Sequence, residues 1–427
     1  MARSLLEQRR LGEQLHYEEF GSGLRAFVLP KRGFQTRYAT FATRYGSNDQ
    51  SFVDSTGVRH DTPAGIAHFL EHKLFEEEGG NVSERFSALG AMANAYTNYT
   101  ATTYLFSTAS RFPEALQLLL EFVQHPYFTP QSVEKEQGII EQELRMYLDD
   151  PRVAVFQNLM EALYHHHPVR VEIGGTVESI RQITADDLYL CYRTFYHPSN
   201  MVFFATGDVD PDAVFSAIHR LVPGERRAPV QRVRPAEPAA VRTELVRRAM
   251  PVGVPLIDIG FKDEPDREDP LRREVEMEIL LDCLFGTSSD IYQTLYEEGL
   301  LSEHFAASYF SGEDFAASVL GGPSPDPDRL RERILTLLAA QREGGLSVEA
   351  VERSRRKSIG EFVALFNSPE AVAHSFSEYA LRGLDLFAAL AALDRVRYED
   401  IARRFEEHLA QPRVAASIIV RTGEHAQ

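Results

Sequence analysis

The 427-residue chain reads as two copies of one unit, and no other feature limits its fold as strongly. HKLF at His72–Phe75 recurs as DCLF at Asp282–Phe285, 210 residues on. Tyr99–Ser107 lies over Phe310–Ser318 at an offset of 211, and Ser132–Leu144 over Ala350–Phe362 at 218. The last match carries Glu143 onto Glu361 and Pro151 onto Pro369. Three matches in one order, with slowly growing offsets, argue for duplication. A Pro/Arg/Ala-rich stretch near 223–240 has neither helical nor strand period and reads as a linker. The expected division is a first domain over 1–222, a linker over 223–241 and a second domain over 242–427.

Within a half, strands come in pairs and helices in runs. Leu24–Leu29, ended by Pro30, and Tyr38–Arg44 read as strands, followed by a helix over Ala64–Glu77. Asn81 and Glu84 have capping-box spacing for a short helix ending at Gly90. Met92–Tyr96 and Thr103–Thr108 read as a strand pair. Helices over Pro113–Gln124 and Pro130–Leu148 each start at or near a proline. Thr184 and Asp187 cap another helix, and Met201–Thr206 reads as a buried strand. The pattern predicts an α+β fold of two homologous domains, each a mostly antiparallel sheet packed with helices.

A net charge of −18 lacks the basic footprint of a nucleic-acid binder. Cys191 and Cys283 sit in apolar helical patterns, so buried free thiols are expected, as suits a reducing cytoplasm. Residues 1–19 carry charges throughout and no apolar core of a signal peptide. No apolar run approaches the length of a membrane span. The expected compartment is cytoplasmic, with no membrane partner.

Chemistry concentrates in His68-Phe69-Leu70-Glu71-His72. On a helix, residues four apart lie one turn from each other on one face, so both imidazoles can reach one ion. Glu71 shares that face and is placed to hold and deprotonate a water without being a ligand. Imidazole and carboxylate ligands suit zinc, and a hydrolytic site keeps one position open. A third protein ligand is needed, and the helix Val133–Tyr147 offers two pairs of glutamates. Glu136 and Glu143 are seven apart and share a face; Glu134 and Glu141 do the same on another. Some of these carboxylates belong to a solvated face, and periodicity does not choose between the pairs.

The H-x-x-E-H order resembles the family of pitrilysin, insulin-degrading enzyme and the mitochondrial processing peptidase, the inverted zincins. The resemblance extends to the E-x₆-E pattern of Glu136 and Glu143, to Gly90-x₃-Asn94-Ala95-x-Thr97, His167-Pro168, Gly174-Gly175-Thr176, Tyr196-His197-Pro198-Ser199-Asn200-Met201 and Gly207-Asp208. It covers nearly the whole chain and is most specific in the first half. It implies Glu143 as the third ligand of one zinc per chain, and Glu136 as the carboxylate that supports a ligand. It implies a metalloendopeptidase in which Glu71 is the base and a peptide adds as a strand along Ala93–Thr97, with Asn94 and Ala95 as contacts. Peptides or unfolded segments are the implied substrates, held in a chamber formed by two-domain units.

The second half keeps none of this. The repeat puts Glu278, Leu281 and Asp282 where His68, Glu71 and His72 stand, so it reads as a degenerate copy without metal. The family often supplies an Arg and a Tyr, seven apart, from this half. Here Tyr296 stands for the Arg and Ser302 near the Tyr, while Tyr309 is not clearly at that position. The resemblance to short bacterial processing-peptidase-like chains therefore implies a heterodimer. Its partner would be a homologous subunit that lacks H-x-x-E-H but provides that Arg and Tyr. Two rivals differ in class: a catalytically weak scaffold or peptide-binding subunit, and metal storage through His165-His166-His167. The intact metal motif argues against the first, and the match of His167-Pro168 to a structural landmark against the second.

Overall fold

The computed structural model describes residues 3–409 and 413–423. Two sheets carry the duplication in their topology. The first has seven strands in the order Ser4–Gln8, Glu13–Glu19, Arg25–Pro30, Met201–Gly207, Arg37–Thr43, Thr102–Thr108 and Ala91–Thr97. The second has five, in the order Leu245–Met250, Val414–Arg421, Leu256–Asp263, Ala316–Pro323 and Ala306–Ser311. Set aside the two N-terminal strands, and both sheets thread their strands identically. In each the last strand of the repeat pairs in parallel with the first, and every other neighbour is antiparallel. Coincidence does not reproduce a five-strand threading with one parallel pair in the same place. The expected fold class, two mostly antiparallel sheets packed with helices, is the one observed.

The compact units follow a partition other than the linear one. One comprises 1–144, 172–234 and 363–387, and the other 145–171, 235–362 and 388–427. Each sheet is thus completed by a helix from the other repeat. Pro369–Leu381 packs on Met201–Gly207 and Arg37–Thr43, while Pro151–Leu163 packs on Val414–Arg421 and Leu256–Asp263. The stretch read as a linker is also more structured than its composition indicates. Gln231–Arg232 forms a short strand on Ser51–Val53, and both Arg232 and Arg234 bond the buried Asp49 carboxylate. Further on, Glu237 accepts the backbone N–H groups of His165, His166 and His167, and the buried Lys262 ammonium bonds it at 2.7 Å.

In the first unit the core is aromatic and aliphatic, with Phe41, Phe69, Phe86, Tyr104, Phe106 and Phe203 fully buried. The helix Ile66–Leu74 drives Ile66, Phe69, Leu70 and Leu74 into it, which fixes its rotation. It is shorter than Ala64–Glu77. Gly65, at φ 88°, stops it at the front, and the chain leaves after Phe75 into a small hairpin of Glu76–Glu77 and Gly80–Asn81. Asn81 does cap Val82–Ala88 by accepting from the Ser83 N–H, but Glu84 does not close a reciprocal box. The box at Thr184 and Asp187 is complete. Cys191 and Cys283 are buried and free. Among the described residues no helix is long and apolar enough to cross a membrane.

Candidate metal centre

Rotation of Ile66–Leu74 leaves His68 and His72 on the face turned from the core, with their rings 4.6 Å apart. The helix Pro130–Asp149 meets them. Its buried stripe of Val133, Ile140 and Leu144 anchors it to the core and carries Glu136 inward with them. Glu143, two turns on, faces both imidazoles. Its carboxylate oxygens lie 3.8 Å from His68 Nε2 and 3.4 Å from His72 Nε2. The pair left open by periodicity separates here. Glu141 is bonded to Arg181 at 2.7 Å, and Glu134 is exposed.

Among the described residues, His68, His72 and Glu143 form a group whose donor atoms all lie within 4.8 Å of one another. A tetrahedral zinc with bonds near 2.1 Å holds neighbouring donors about 3.4 Å apart. The three side chains therefore fit such an ion in donor type and in spacing. The histidine tract forms no comparable group among the described residues. Its backbone is engaged by Glu237, and His167 accepts from the Val169 N–H and lies 3.1 Å from Asp314.

The surroundings tune each of these side chains. His72 Nδ1 is 2.9 Å from Glu136, whose side chain is largely buried, so Nε2 is left for the metal. Burial opposes charging of His72, but the bond to Glu136 and the nearby Glu71 and Glu143 raise its pKa overall. Burial, and then the neighbouring His72, push His68 down to about 4, so one of its ring nitrogens keeps a free lone pair at neutral pH. Below the raised pKa of His72, binding a cation there displaces a proton, which couples affinity to pH.

Glu71 is not at ligand distance in this group. It is buried beside it, and burial raises its carboxyl above the usual range. Thr97 Oγ1 donates to Glu71 Oε2 at 2.7 Å and pulls the other way. The Thr102 hydroxyl, which donates to the Tyr45 carbonyl, lies 3.2 Å from Thr97 Oγ1, so the shorter Thr97 contact is the one to Glu71. Thr97 ends the strand Ala91–Thr97, whose alternation puts Ala93 and Ala95 on the same side. Asn94 therefore points to the opposite side, exposed, with Oδ1 accepting from the Ala95 N–H. Among the described residues this strand pairs only with Thr102–Thr108, so its outer edge has no neighbour there in the sheet.

Two residues beyond the sequence assignment belong to this region. Thr97 stood in the Gly90–Thr97 motif without a role. Glu172 had no signal at all. Its carboxyl accepts from the Gly174 N–H at 2.5 Å, and burial pushes it up to about 7.

The second unit shows what replaced the site. Lys357 bonds Asp282 and approaches Glu361 at 3.7 Å, so an ammonium sits among the carboxylates of the degenerate copy. Glu278 lies beside them, and desolvation, with the nearby Glu361 and Asp282, raises its carboxyl. Tyr296 is exposed and stacks on Tyr292, whereas the Tyr309 hydroxyl donates to Asp263 at 2.8 Å.

Comparison with known proteins agrees with this asymmetry. Residues 52–177 match the model of insulinase, peptidase family M16, and residues 182–358 match that of the peptidase M16 inactive domain. The chain is 41% identical over 423 residues to the uncharacterized zinc protease YmfH of Bacillus subtilis (strain 168), covering 97% of this chain and 98% of that one. The structure of an M16-like peptidase from Alicyclobacillus acidocaldarius superposes with a TM-score of 0.92 at 36% identity, covering 99% of each chain. A protease from Helicobacter pylori, at 18% identity and TM-score 0.81, covers 96% of this chain and 100% of its own and shares the fold. The chain belongs to the M16 family of zinc metallopeptidases.

Proposed function

We propose that this chain is a zinc endopeptidase that hydrolyses peptides or unfolded segments, with His68, His72 and Glu143 as ligands and Glu71 as the general base. The observation that carries the reading is the convergence of two imidazole Nε2 atoms and one carboxylate, with a separate buried carboxylate beside them. A scaffold that only bound peptide would have no use for that fourth group. Zinc, when bound there, polarises a peptide carbonyl and lowers the pKa of water.

The chain's own residues do the rest. Glu136 fixes the tautomer and tilt of His72 through Nδ1. Glu71 accepts the proton of the attacking water and delivers it to the leaving amine. Its raised pKa suits both steps, since a strongly acidic carboxyl holds a proton too briefly to hand it on. A substrate in extended form adds along the open edge of Ala91–Thr97, where Ala95 offers backbone groups and Asn94 must release the Ala95 N–H to admit it.

The second half carries neither imidazole nor the expected Arg and Tyr, with Tyr296 and Ser302 in their places. We therefore assign the chain as the metal-bearing subunit of a heterodimer with a homologous partner that supplies those groups. The two buried thiols suit a reducing, cytoplasmic compartment.

The test of the hydrolytic reading is Glu71→Gln. The amide cannot take a proton, so hydrolysis of an unstructured peptide falls by about 10²–10⁴ while zinc content stays at the wild-type level. A zinc-loaded variant that turns over normally removes Glu71 from the mechanism.

A further inference from the structure

We propose that Glu172 is the positioning residue for His68, accepting its Nδ1–H directly or through one water, as Glu136 does for His72; the inference rests on the metal site proposed above. Both imidazoles turn Nε2 toward Glu143. A neutral imidazole that ligates through Nε2 keeps its proton on Nδ1, and that N–H needs an acceptor. His72 has one in Glu136 at 2.9 Å. His68 Nδ1 is buried and has no hydrogen-bond partner among the described residues.

The loop 172–175 brings a carboxyl to it. Gly174 and Gly175 press on the front of the metal helix so closely that no side chain fits. A Cβ on Gly175, at φ 83°, would lie 2.4 Å from the Ala64 carbonyl oxygen, and one on Gly65 would lie 2.1 Å from that of Gly174. Ser179 Oγ donates to the Ala64 carbonyl and fastens the same contact. A Cβ built on Gly174 would lie 2.9 Å from Glu172 Oε2 and 3.4 Å from His68 Nδ1. The carboxyl oxygen and the unpaired nitrogen thus border the same small space, held open by the lack of a side chain at 174. Glu172 is itself aimed by the Gly174 N–H. The two histidines would then be held symmetrically, each Nε2 on the ion and each Nδ1 on its own glutamate.

The experiment compares wild type, Glu172→Leu and Glu172→Gln as metal-free proteins. Zinc affinity is measured by competition with a chelator, ligand geometry by the visible spectrum of the cobalt form, and folding by melting of the apo protein. Loss of such a partner typically costs roughly 10–100-fold in metal affinity. The expected result is that loss for Glu172→Leu with a shifted cobalt spectrum and an unchanged apo melting temperature. Glu172→Gln, which keeps an acceptor oxygen, recovers most of the affinity. The proposal is overturned if Glu172→Leu binds zinc as tightly as wild type, or if Glu172→Gln binds as weakly as Glu172→Leu. A fall in affinity matched by a fall in apo melting temperature overturns it too, since packing then explains the loss. Wild type that binds no zinc overturns the metal site itself, which the other outcomes leave standing.

Discussion

Thr97→Val removes the hydroxyl donor to Glu71 in the proposed machinery. Valine has nearly the shape of threonine, and Thr102 keeps its own bond to the Tyr45 carbonyl, so packing at the strand end changes little. What is lost is the 2.7 Å donor to Glu71 Oε2, together with a longer, 3.2 Å contact to the Thr102 hydroxyl. A hydrogen bond to a charged group is worth about 1.5–3 kcal/mol, or about 1–2 units of pKa. The sign follows from what the bond favours. Burial already raises the Glu71 carboxyl, and Thr97 opposes that by stabilising the ionised form. Without Thr97 the carboxyl rises further, and a larger share of it is protonated and idle as a base at any given pH. The acid limb of kcat/KM for the zinc-loaded protein should therefore move upward by about 1–2 pH units. On that limb the rate should fall by about 10–100-fold, while on the alkaline side it approaches wild type. The assay is peptide hydrolysis across pH with zinc content checked at each point. An acid limb that stays in place, or one that moves downward, refutes the role given to Glu71.

Glu237→Gln tests the anchor of 235–240 by pH. Burial opposes ionisation of Glu237, but Lys262 and the N–H groups of His165, His166 and His167 hold its carboxyl down to about 2. The stabilisation is present above the unfolded pKa, about 4.3, and is lost as pH falls toward 2. The variant should lose about 3 kcal/mol of stability in urea at pH 7, because Lys262 stays buried without its partner, and the gap should narrow below pH 4. A gap that is constant with pH rejects the ion pair as its source. For the heterodimer, hydrolysis by the chain alone is compared with hydrolysis after adding a homologous subunit that carries the Arg and Tyr. We expect a rise of about 10²–10³, the worth of an oxyanion donor. Full activity alone, with no binding of the partner, removes the second subunit from the account.

The grouping of His68, Glu71 and His72 was legible because its spacing is local. His68, Glu71 and His72 need only a helix to meet, and Glu136 and Glu143 only another. Which glutamate pair faces the histidines was not legible from period seven alone. It is decided by the stripe of Val133, Ile140 and Leu144 and by the bond of Glu141 to Arg181. The duplication was readable in outline, but its register drifts. Tyr99–Ser107 was matched at 211, whereas the corresponding strands begin at Thr102 and Ala316, three residues further apart. The exchange of Pro151–Leu163 and Pro369–Leu381 left no local trace, because each helix has the same apolar face whichever sheet it covers. Glu172 was hidden for a different reason. Its place beside His68 depends on two glycines whose missing side chains let a loop approach a helix, and such contacts have no period.

The central claim is that His68, His72 and Glu143 hold one zinc, and metal analysis of two variants tests it directly. Glu143→Gln removes a ligand, whereas Glu141→Gln changes a carboxylate that bonds Arg181 and lies outside the group. The account predicts about one zinc per chain in wild type and in Glu141→Gln, and little or none in Glu143→Gln at the same free zinc. Full zinc in Glu143→Gln, or its loss from Glu141→Gln, would contradict the assignment of the third ligand.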